Sequence, residues 1–204
     1  MRRIPLSRRS HIVGYGCFES GPIEHESALE RDFVILTSFA DPDALIVSQP
    51  VTIRFEDEGQ QRRYTPDFSV SWSDGRFELV EVKYRVDLRE NWSRLWPGFL
   101  AARDMARARG GRFRIATDQG IRVPRLENAK RLMPLRRAPL DPDAAGRALN
   151  VTRSLAAPTF GQIVDTINCD RAVALGVVWR LIAQNRLGVD IDAPIRIDTP
   201  VKVL

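Results

Sequence analysis

The 204-residue chain has few of the residues that form cysteine or histidine sites. Its two cysteines, Cys17 and Cys169, are far apart in sequence. This spacing excludes a cysteine-built zinc site and is typical of a protein from a reducing cytosol. The two histidines, His11 and His25, argue against a histidine-based metal centre or catalytic triad. The sequence therefore directs attention to its carboxylates and its basic residues.

Long hydrophobic runs are absent as well. No run of 18 or more apolar residues occurs, so the sequence predicts no membrane span and no membrane partner. The N-terminal MRRIPLSRRS is charged but is not followed by the apolar segment of a secretory signal. We therefore expect a cytoplasmic protein.

Lysine is scarce in a chain that is rich in arginine. Of the 31 basic residues, 28 are arginine and three are lysine, namely Lys83, Lys130 and Lys202. Lys83 falls within a predicted strand. Lysine can lose its proton inside a protein whereas arginine cannot, so a chemical role would explain this choice.

Excess positive charge is confined to the first part of the chain. Residues 1–140 contain 24 Lys and Arg against 19 Asp and Glu, whereas residues 141–204 contain seven of each. The net charge of +5 therefore belongs to the first 140 residues. A basic surface there favours a polyanionic partner such as nucleic acid.

The pattern of the chain predicts three segments. Residues 1–23 are interpreted as a basic N-terminal arm. Residues 24–138 show the order helix, three strands, helix, strand, helix, which predicts an α/β domain with a mixed sheet flanked by helices. Within this domain a helix is expected over about residues 88–109, broken or restarted at Pro97.

The stretch RRAPLDPDAAG, residues 136–146, has the prolines and acidic turn residues of a linker. Residues 139–204 then predict a small winged-helix domain with a short helix, a longer apolar helix and two strand-like runs. Its expected core residues are Ile163, Ile167, Leu175, Val178, Trp179 and Ile182.

The catalytic candidate is the stretch RRYTPDFSVSWSDGRFELVEVKYR, residues 62–85. Its SDG turn predicts a β-hairpin. Side chains alternate along a strand, so Glu81 and Lys83 share one face, and Asp67 begins the partner strand. Two carboxylates beside an ammonium are suited to Mg²⁺-dependent phosphodiester hydrolysis, in which Mn²⁺ can replace Mg²⁺. The alternative is an exposed sheet face with ordinary surface charges.

Pro66-Asp67 followed by Glu81-Val82-Lys83 resembles the PD-(D/E)XK nuclease superfamily. More narrowly, the chain is similar to the TnsA endonuclease subunit of heteromeric transposases. This similarity is carried by the stretches ESALERDFVIL, SQP, RRYTPDF, LVEVKYR and LENAKRL. The resemblance covers about residues 20–135. It implies a restriction-endonuclease-like core that acts on double-stranded DNA.

The resemblance also implies a role for each candidate residue. Asp67 and Glu81 are expected to bind the metal, with the Val82 backbone carbonyl completing the shell. Lys83 is expected to assist the nucleophile and steady the phosphate. The family uses an acid from its first helix, for which Glu30 fits better than Glu26. Ser27 to Glu30 is also a capping-box sequence, so a purely structural role for Glu30 stays open.

The resemblance further implies cleavage at the 5′ ends of a transposon in a bacterial cell. A TnsB-like transposase would process the 3′ ends, and a TnsC-like AAA+ regulator would contact the C-terminal domain. The protein would then be associated with the nucleoid when bound to DNA. A stand-alone repair or restriction nuclease, or a non-catalytic DNA-binding assembly protein, remains the alternative.

Three further interpretations concern binding. Arg62 and Arg63 either grip DNA phosphate or are exposed turn charges. Gln49 in SQP is expected to fix the start of the strand near the site. For the C-terminal domain we favour protein docking over DNA binding, because the segment is neutral overall and phosphate binding normally requires several cations.

Overall fold

The computed structural model describes residues 14–18 and 21–204. The chain forms two compact units that divide between Arg122 and Val123. The predicted boundary lies later, after residue 138. The difference concerns helix Pro124–Leu132, which carries the LENAKRL motif. Its Asn128 side chain donates hydrogen bonds to the backbone carbonyls of Ile191 and Ala193 at 2.9 and 2.8 Å, which ties this helix to the second unit.

The first unit contains eight strands and four helices among the described residues. In chain order they are β1 (Gly14–Phe18), β2 (Gly21–His25), α1 (Ala28–Ala40), β3 (Leu45–Ser48), β4 (Ile53–Asp57), β5 (Gln60–Tyr64), β6 (Phe68–Ser71), β7 (Phe77–Lys83), α2 (Arg85–Glu90), α3 (Trp92–Ala108), β8 (Arg112–Thr117) and α4 (Asp118–Ile121).

Its central sheet has the strand order β3-β6-β7-β8. β6 pairs with β3 on one side and with β7 on the other, both in antiparallel orientation, whereas β7 pairs with β8 in parallel. The predicted mixed sheet flanked by helices is therefore confirmed. Between β6 and β7 the chain turns at Ser73-Asp74-Gly75, where Gly75 has a φ of +87°. A side chain is disfavoured at this angle, which explains the glycine.

The two faces of the sheet pack against different helices. On one face Phe68, Val80 and Val82 contact Leu29 and Phe33 of α1.

On the other face Leu79 packs with Ala102 and Ala106 of α3, together with Ile53 of β4 and aromatic residues of the neighbouring strands. Because side chains alternate along β7, Glu81 and Lys83 lie on the same face as Leu79.

The run ALIVSQPVTIRFE contributes to two strands, β3 and β4, instead of one. Gln49 adopts a φ of +46° after β3, and Pro50 follows without a backbone N–H. The chain therefore leaves the central sheet, and β4 pairs with β5 in a separate antiparallel hairpin. The stretch EDEGQQ lies at its tip, where Glu58 and Gly59 have positive φ angles.

Two other predictions differ from the structure. Pro97 does not break the predicted helix, because the interruption lies at Asn91 and α3 continues through Pro97. The predicted arm, residues 1–23, contains β1 and the start of β2, which pair in an antiparallel hairpin. The rest of the arm, residues 1–13 and 19–20, lies outside the described residues.

The second unit is largely helical. Its elements are α5 (Pro124–Leu132), a short 3-10 helix (Met133–Leu135), α6 (Pro142–Ser154), α7 (Phe160–Thr166), α8 (Arg171–Ala183), β9 (Leu187–Gly188) and β10 (Lys202–Val203). The predicted linker extends into α6, because the Asp141 side chain caps this helix and Pro142 begins it. The strand-like runs pair only over the two residues of β9 and of β10.

Four of the six expected core residues of this unit are buried, namely Ile163, Ile167, Val178 and Ile182. Leu175 and Trp179 are half-buried. The Trp179 ring lies 5.0 Å from the ring of Phe160, and the Arg131 guanidinium lies 4.7 Å from its centroid. No helix among the described residues is long and apolar enough to span a membrane.

Candidate active site

The candidate site lies where β6 begins and β7 ends. Pro66 precedes β6 and needs no backbone donor in the ladder. The pairing of Phe68 with Val80 is the last of the β6–β7 ladder, so the next residues along the two strands, Asp67 and Glu81, lie opposite each other. The Val82 backbone N–H donates a 2.7 Å hydrogen bond to Asp67 Oδ2. The Asp67 side chain therefore accepts from a backbone N–H that lies beyond the end of the β6–β7 ladder.

Glu81 is a buried carboxylate with a partner for each oxygen. Only 3% of the residue is exposed. Lys83 Nζ lies 2.8 Å from its Oε1, and the Tyr64 hydroxyl donates a 2.5 Å hydrogen bond to its Oε2. A buried carboxylate is stable only when its charge is compensated in this way. The Lys83 side chain is 31% exposed and therefore extends from the buried Glu81 toward the surface.

The charges at this corner strongly influence one another. Burial, followed by the negative charge of Glu81, holds the pKa of the Asp67 carboxyl well above its ordinary value. Burial of Lys83 acts to lower its pKa, but the charges of Glu81 and Asp67 act in the other direction, and the net pKa is raised. Lys83 is therefore an ammonium in this arrangement. This protonation state favours phosphate binding by Lys83 over proton abstraction.

The donor set fits a hard divalent cation. Asp67 and Glu81 present two carboxylates to one corner, and their mutual repulsion would be relieved by a positive ion. Among the described residues no group of three or more His, Cys, Asp and Glu side chains is arranged to hold a metal. Mg²⁺ does not need such a group, because one or two carboxylates, with water and substrate phosphate, complete its octahedron.

Glu30 lies in the first turn of α1 and is engaged in capping this helix. Its Oε2 accepts a 2.7 Å hydrogen bond from the Glu26 backbone N–H, and its Oε1 accepts a 2.9 Å hydrogen bond from the Ser27 hydroxyl. The Ser27 hydroxyl oxygen accepts in turn from the Glu30 N–H at 3.1 Å. The charge of Glu30 nevertheless acts on Asp67 and Lys83, which places this helix end near the corner. Burial raises the pKa of Glu30.

Gln49 links Glu26, the other candidate acid, to the residue before β6. Its side-chain amide donates a 2.6 Å hydrogen bond to Glu26 Oε1, and its backbone N–H donates a 2.8 Å hydrogen bond to the Asp67 carbonyl. These contacts agree with the expectation that Gln49 fixes the start of the strand. They also assign the Glu26 carboxylate to a structural contact.

The capping and metal-site roles of Glu30 can be separated by two substitutions. Ser27→Ala removes the cap but keeps the Glu30 carboxylate, and we expect it to lower the free energy of unfolding by about 1 kcal/mol. Glu30→Ala is expected to cost a similar amount and, in addition, to reduce DNA cleavage about tenfold more than Ser27→Ala does. Chemical denaturation and a cleavage assay measure the two quantities. Equal cleavage by the two variants contradicts a direct role for Glu30.

The two arginines predicted to bind DNA differ in their surroundings. Arg62 Nε lies 3.1 Å from Asp57 Oδ2 within the β4–β5 hairpin, so its charge is already paired. Arg63 is exposed and lies directly opposite Arg54, which is also exposed. Neither Arg54 nor Arg63 forms an ion pair with another described residue. Like charges in direct opposition destabilise a hairpin unless an anion lies between them.

Tyr64 was missed by the sequence interpretation. It lies at the end of β5, three residues before Asp67, and its hydroxyl reaches Glu81 across the face that packs on α3. The signal in the sequence is the aromatic residue in YTPDF. Its alignment with Glu81 depends on the separate β4–β5 hairpin, which the strand pattern did not predict.

The central sheet is mixed and lies between helices, with Pro-Asp before one central strand and Glu-Val-Lys at the end of the next. This is the arrangement of the PD-(D/E)XK class of nucleases. Residues 44–118 match the family model described as TnsA-like endonuclease N terminal. This match confirms the resemblance of this part of the chain to TnsA-like endonucleases. The matched residues include Asp67, Glu81 and Lys83. The chain has no match among the curated proteins with which it was compared.

Proposed function

We propose that this protein is the DNA endonuclease subunit of a Tn7-type transposase and cuts the 5′ ends of the transposon together with a TnsB-like transposase. The observation that carries the proposal is the juxtaposition of Asp67, Glu81 and Lys83 at one corner of a TnsA-like domain. Such a protein acts in the bacterial cytoplasm and is associated with the nucleoid while it is bound to DNA.

In the proposed site Asp67 and Glu81 would hold Mg²⁺, and the Val82 backbone carbonyl and Glu30 would contribute to the same centre. A bound Mg²⁺ would supply Lewis acidity and lower the pKa of a coordinated water. The partly exposed Lys83 side chain, paired with the buried Glu81, steadies the scissile phosphate and positions the nucleophile. Tyr64 and Val82 N–H hold the two carboxylates in place.

The proposed DNA surface includes the outer face of the β4–β5 hairpin. Arg63 and Arg54 are exposed and opposed, and a backbone phosphate between them would neutralise their repulsion. Arg62 contributes less to this surface because Asp57 already pairs with it. The hairpin also carries Tyr64, so a phosphate contact here lies on the element that reaches the catalytic corner.

We further propose that the second unit is a winged-helix-like module that docks a TnsC-like AAA+ regulator. Capped helices α7 and α8 precede a short antiparallel pair, β9 with β10, in the order that a winged helix uses. Residues 141–204 carry no net charge, which favours protein docking over DNA binding.

The test compares cleavage of a plasmid carrying transposon ends by the purified protein with Mg²⁺ or Mn²⁺, alone and with its transposase and AAA+ partners. We expect partner-dependent cutting at the 5′ ends. Lys83→Ala is expected to reduce it about 100-fold, because a positive charge at the phosphate is lost. Lys130→Ala, at an exposed ion pair with Glu127, is the matched control and should cut normally.

Other outcomes identify the competing functions. Efficient cutting by the protein alone, at sites unrelated to transposon ends, indicates a stand-alone repair or restriction nuclease. DNA binding without cutting under every condition indicates a non-catalytic assembly protein. Equal activity of Lys83→Ala and the wild-type protein contradicts the proposed catalytic site.

A further inference from the structure

We infer that Tyr64 is a positioning residue that fixes the Glu81 carboxylate in its metal-binding orientation. This inference rests on the proposed function, because it concerns the same site. It assigns a role to a residue of the β4–β5 hairpin, which lies outside the four-stranded sheet that carries the catalytic motif.

The contact itself is short and lies in the interior. The Tyr64 hydroxyl donates to Glu81 Oε2 at 2.5 Å, while Lys83 occupies Oε1 at 2.8 Å. Glu81 is 3% exposed, so water cannot readily replace a lost donor. A hydrogen bond to a charged acceptor is shorter and stronger than a bond between neutral groups. The carboxylate plane is therefore set by two donors, one on each oxygen.

The Tyr64 ring is held by neighbours on several sides. Phe99 and Phe113 make edge contacts with it, with centroid separations of 5.8 and 6.4 Å. Gly98 of α3 lies so close that a Cβ there would be 2.9 Å from the ring. A ring that is confined in this way directs its hydroxyl to one place, which is what a positioning residue requires.

Tyr64 and Lys83 are not equivalent donors to Glu81. The Lys83 side chain is partly exposed and is the group expected to turn toward a phosphate. When Lys83 does so, the Tyr64 hydroxyl remains as the fixed donor to Glu81. Loss of this hydroxyl is therefore expected to affect metal binding more than the stability of the fold.

The test measures Mn²⁺ affinity of the full chain by electron paramagnetic resonance. Tyr64→Phe removes only the hydroxyl, and we expect Mn²⁺ to bind about 10- to 100-fold more weakly, as when a partner of a metal ligand is lost. Cleavage by this variant should recover when the Mn²⁺ concentration is raised. Tyr84→Phe is the matched control, since the Tyr84 hydroxyl contacts Arg122 and its ring packs with the core on the other face.

Gly98→Ala provides a second variant that keeps the hydroxyl. The added methyl group displaces the Tyr64 ring, so we expect the same weakening of Mn²⁺ binding. The double variant with Tyr64→Phe should be no weaker than either single variant, because both act on one contact. Gly146→Ala is the control, since a Cβ at Gly146 meets no atom within 4 Å.

The outcomes separate this inference from the proposed function. The inference is overturned, and the proposed function is left intact, if Tyr64→Phe and Gly98→Ala bind Mn²⁺ with wild-type affinity while Asp67→Asn loses that affinity. Unchanged Mn²⁺ binding in Asp67→Asn overturns the metal site and the inference together. If circular dichroism shows that Tyr64→Phe is unfolded, Gly98→Ala decides: weaker binding by the folded variant supports the inference, and wild-type binding contradicts it.

Discussion

Asp67→Asn is expected to lower DNA cleavage by at least about 1,000-fold while the protein stays folded. The loss follows from the removal of a metal-binding charge, which contributes several kcal/mol to stabilisation of the transition state. Asparagine keeps an oxygen that can accept the hydrogen bond from the Val82 N–H, so the local backbone need not change. A single-turnover cleavage assay measures the effect.

The same substitution is expected to change stability in a pH-dependent way when metal is removed with EDTA. Burial and the nearby Glu81 charge raise the pKa of Asp67 in the folded protein, so the folded state binds a proton more tightly than the unfolded state. Ionisation of Asp67 therefore costs the fold stability at a pH above the folded-state pKa. Asp67→Asn should be more stable than the wild-type protein there, and the difference should shrink as the pH falls through the folded-state pKa toward its ordinary value.

Asp104→Asn is the matched control for both measurements. Asp104 is 65% exposed and pairs with Arg103 on the surface of α3. Its substitution should change neither cleavage nor the pH dependence of stability by a measurable amount. Asp67→Asn with cleavage within about tenfold of the wild-type protein contradicts the assignment of Asp67 as a metal ligand.

Phe68→Ala is expected to have the largest effect on stability, lowering the free energy of unfolding by about 3–5 kcal/mol. Phe68 is fully buried and directly follows Asp67. Its ring stacks on Phe33 of α1 with a centroid separation of 5.4 Å. The substitution leaves a cavity between the sheet and this helix. Chemical denaturation with a probe in the first unit measures the change.

Phe55→Ala is the comparison for Phe68→Ala. Phe55 lies half-buried on β4, opposite Arg62, outside the central sheet. Its truncation should cost clearly less, because less apolar area is removed from the interior. A loss below about 1 kcal/mol for Phe68→Ala contradicts a substantial contribution of Phe68 to the packing between the sheet and α1.

The β6–β7 hairpin was predictable because its information is local. The SDG turn and the alternation along β7 place Glu81 and Lys83 on one face, and the antiparallel pairing brings Asp67 opposite Glu81. Both rules depend only on neighbouring residues and on the two-residue period of a strand. The mixed sheet, in contrast, was predicted from the order of helices and strands along the chain.

The helix acid and the hairpin next to the site were harder to predict for a different reason. Ser27 and Glu30 satisfy a capping pattern and also lie near the site, so the sequence alone supports both roles. The break at Gln49 depends on a positive φ angle. Glutamine can adopt this angle but does not favour it, so the residue type does not predict the break. Because the break could not be predicted, the sequence did not show that β4 and β5 form a hairpin separate from the central sheet.

The sequence by itself determined the class of the protein, because the spacing of Pro66-Asp67 and Glu81-Val82-Lys83 is carried by one continuous hairpin. Only the tertiary structure decided how Glu81 is held. Tyr64 belongs to another hairpin, and its ring is confined by Gly98 and by aromatic residues from distant strands and helices. Such packing joins residues that share no local pattern, so it arises only when the complete chain folds.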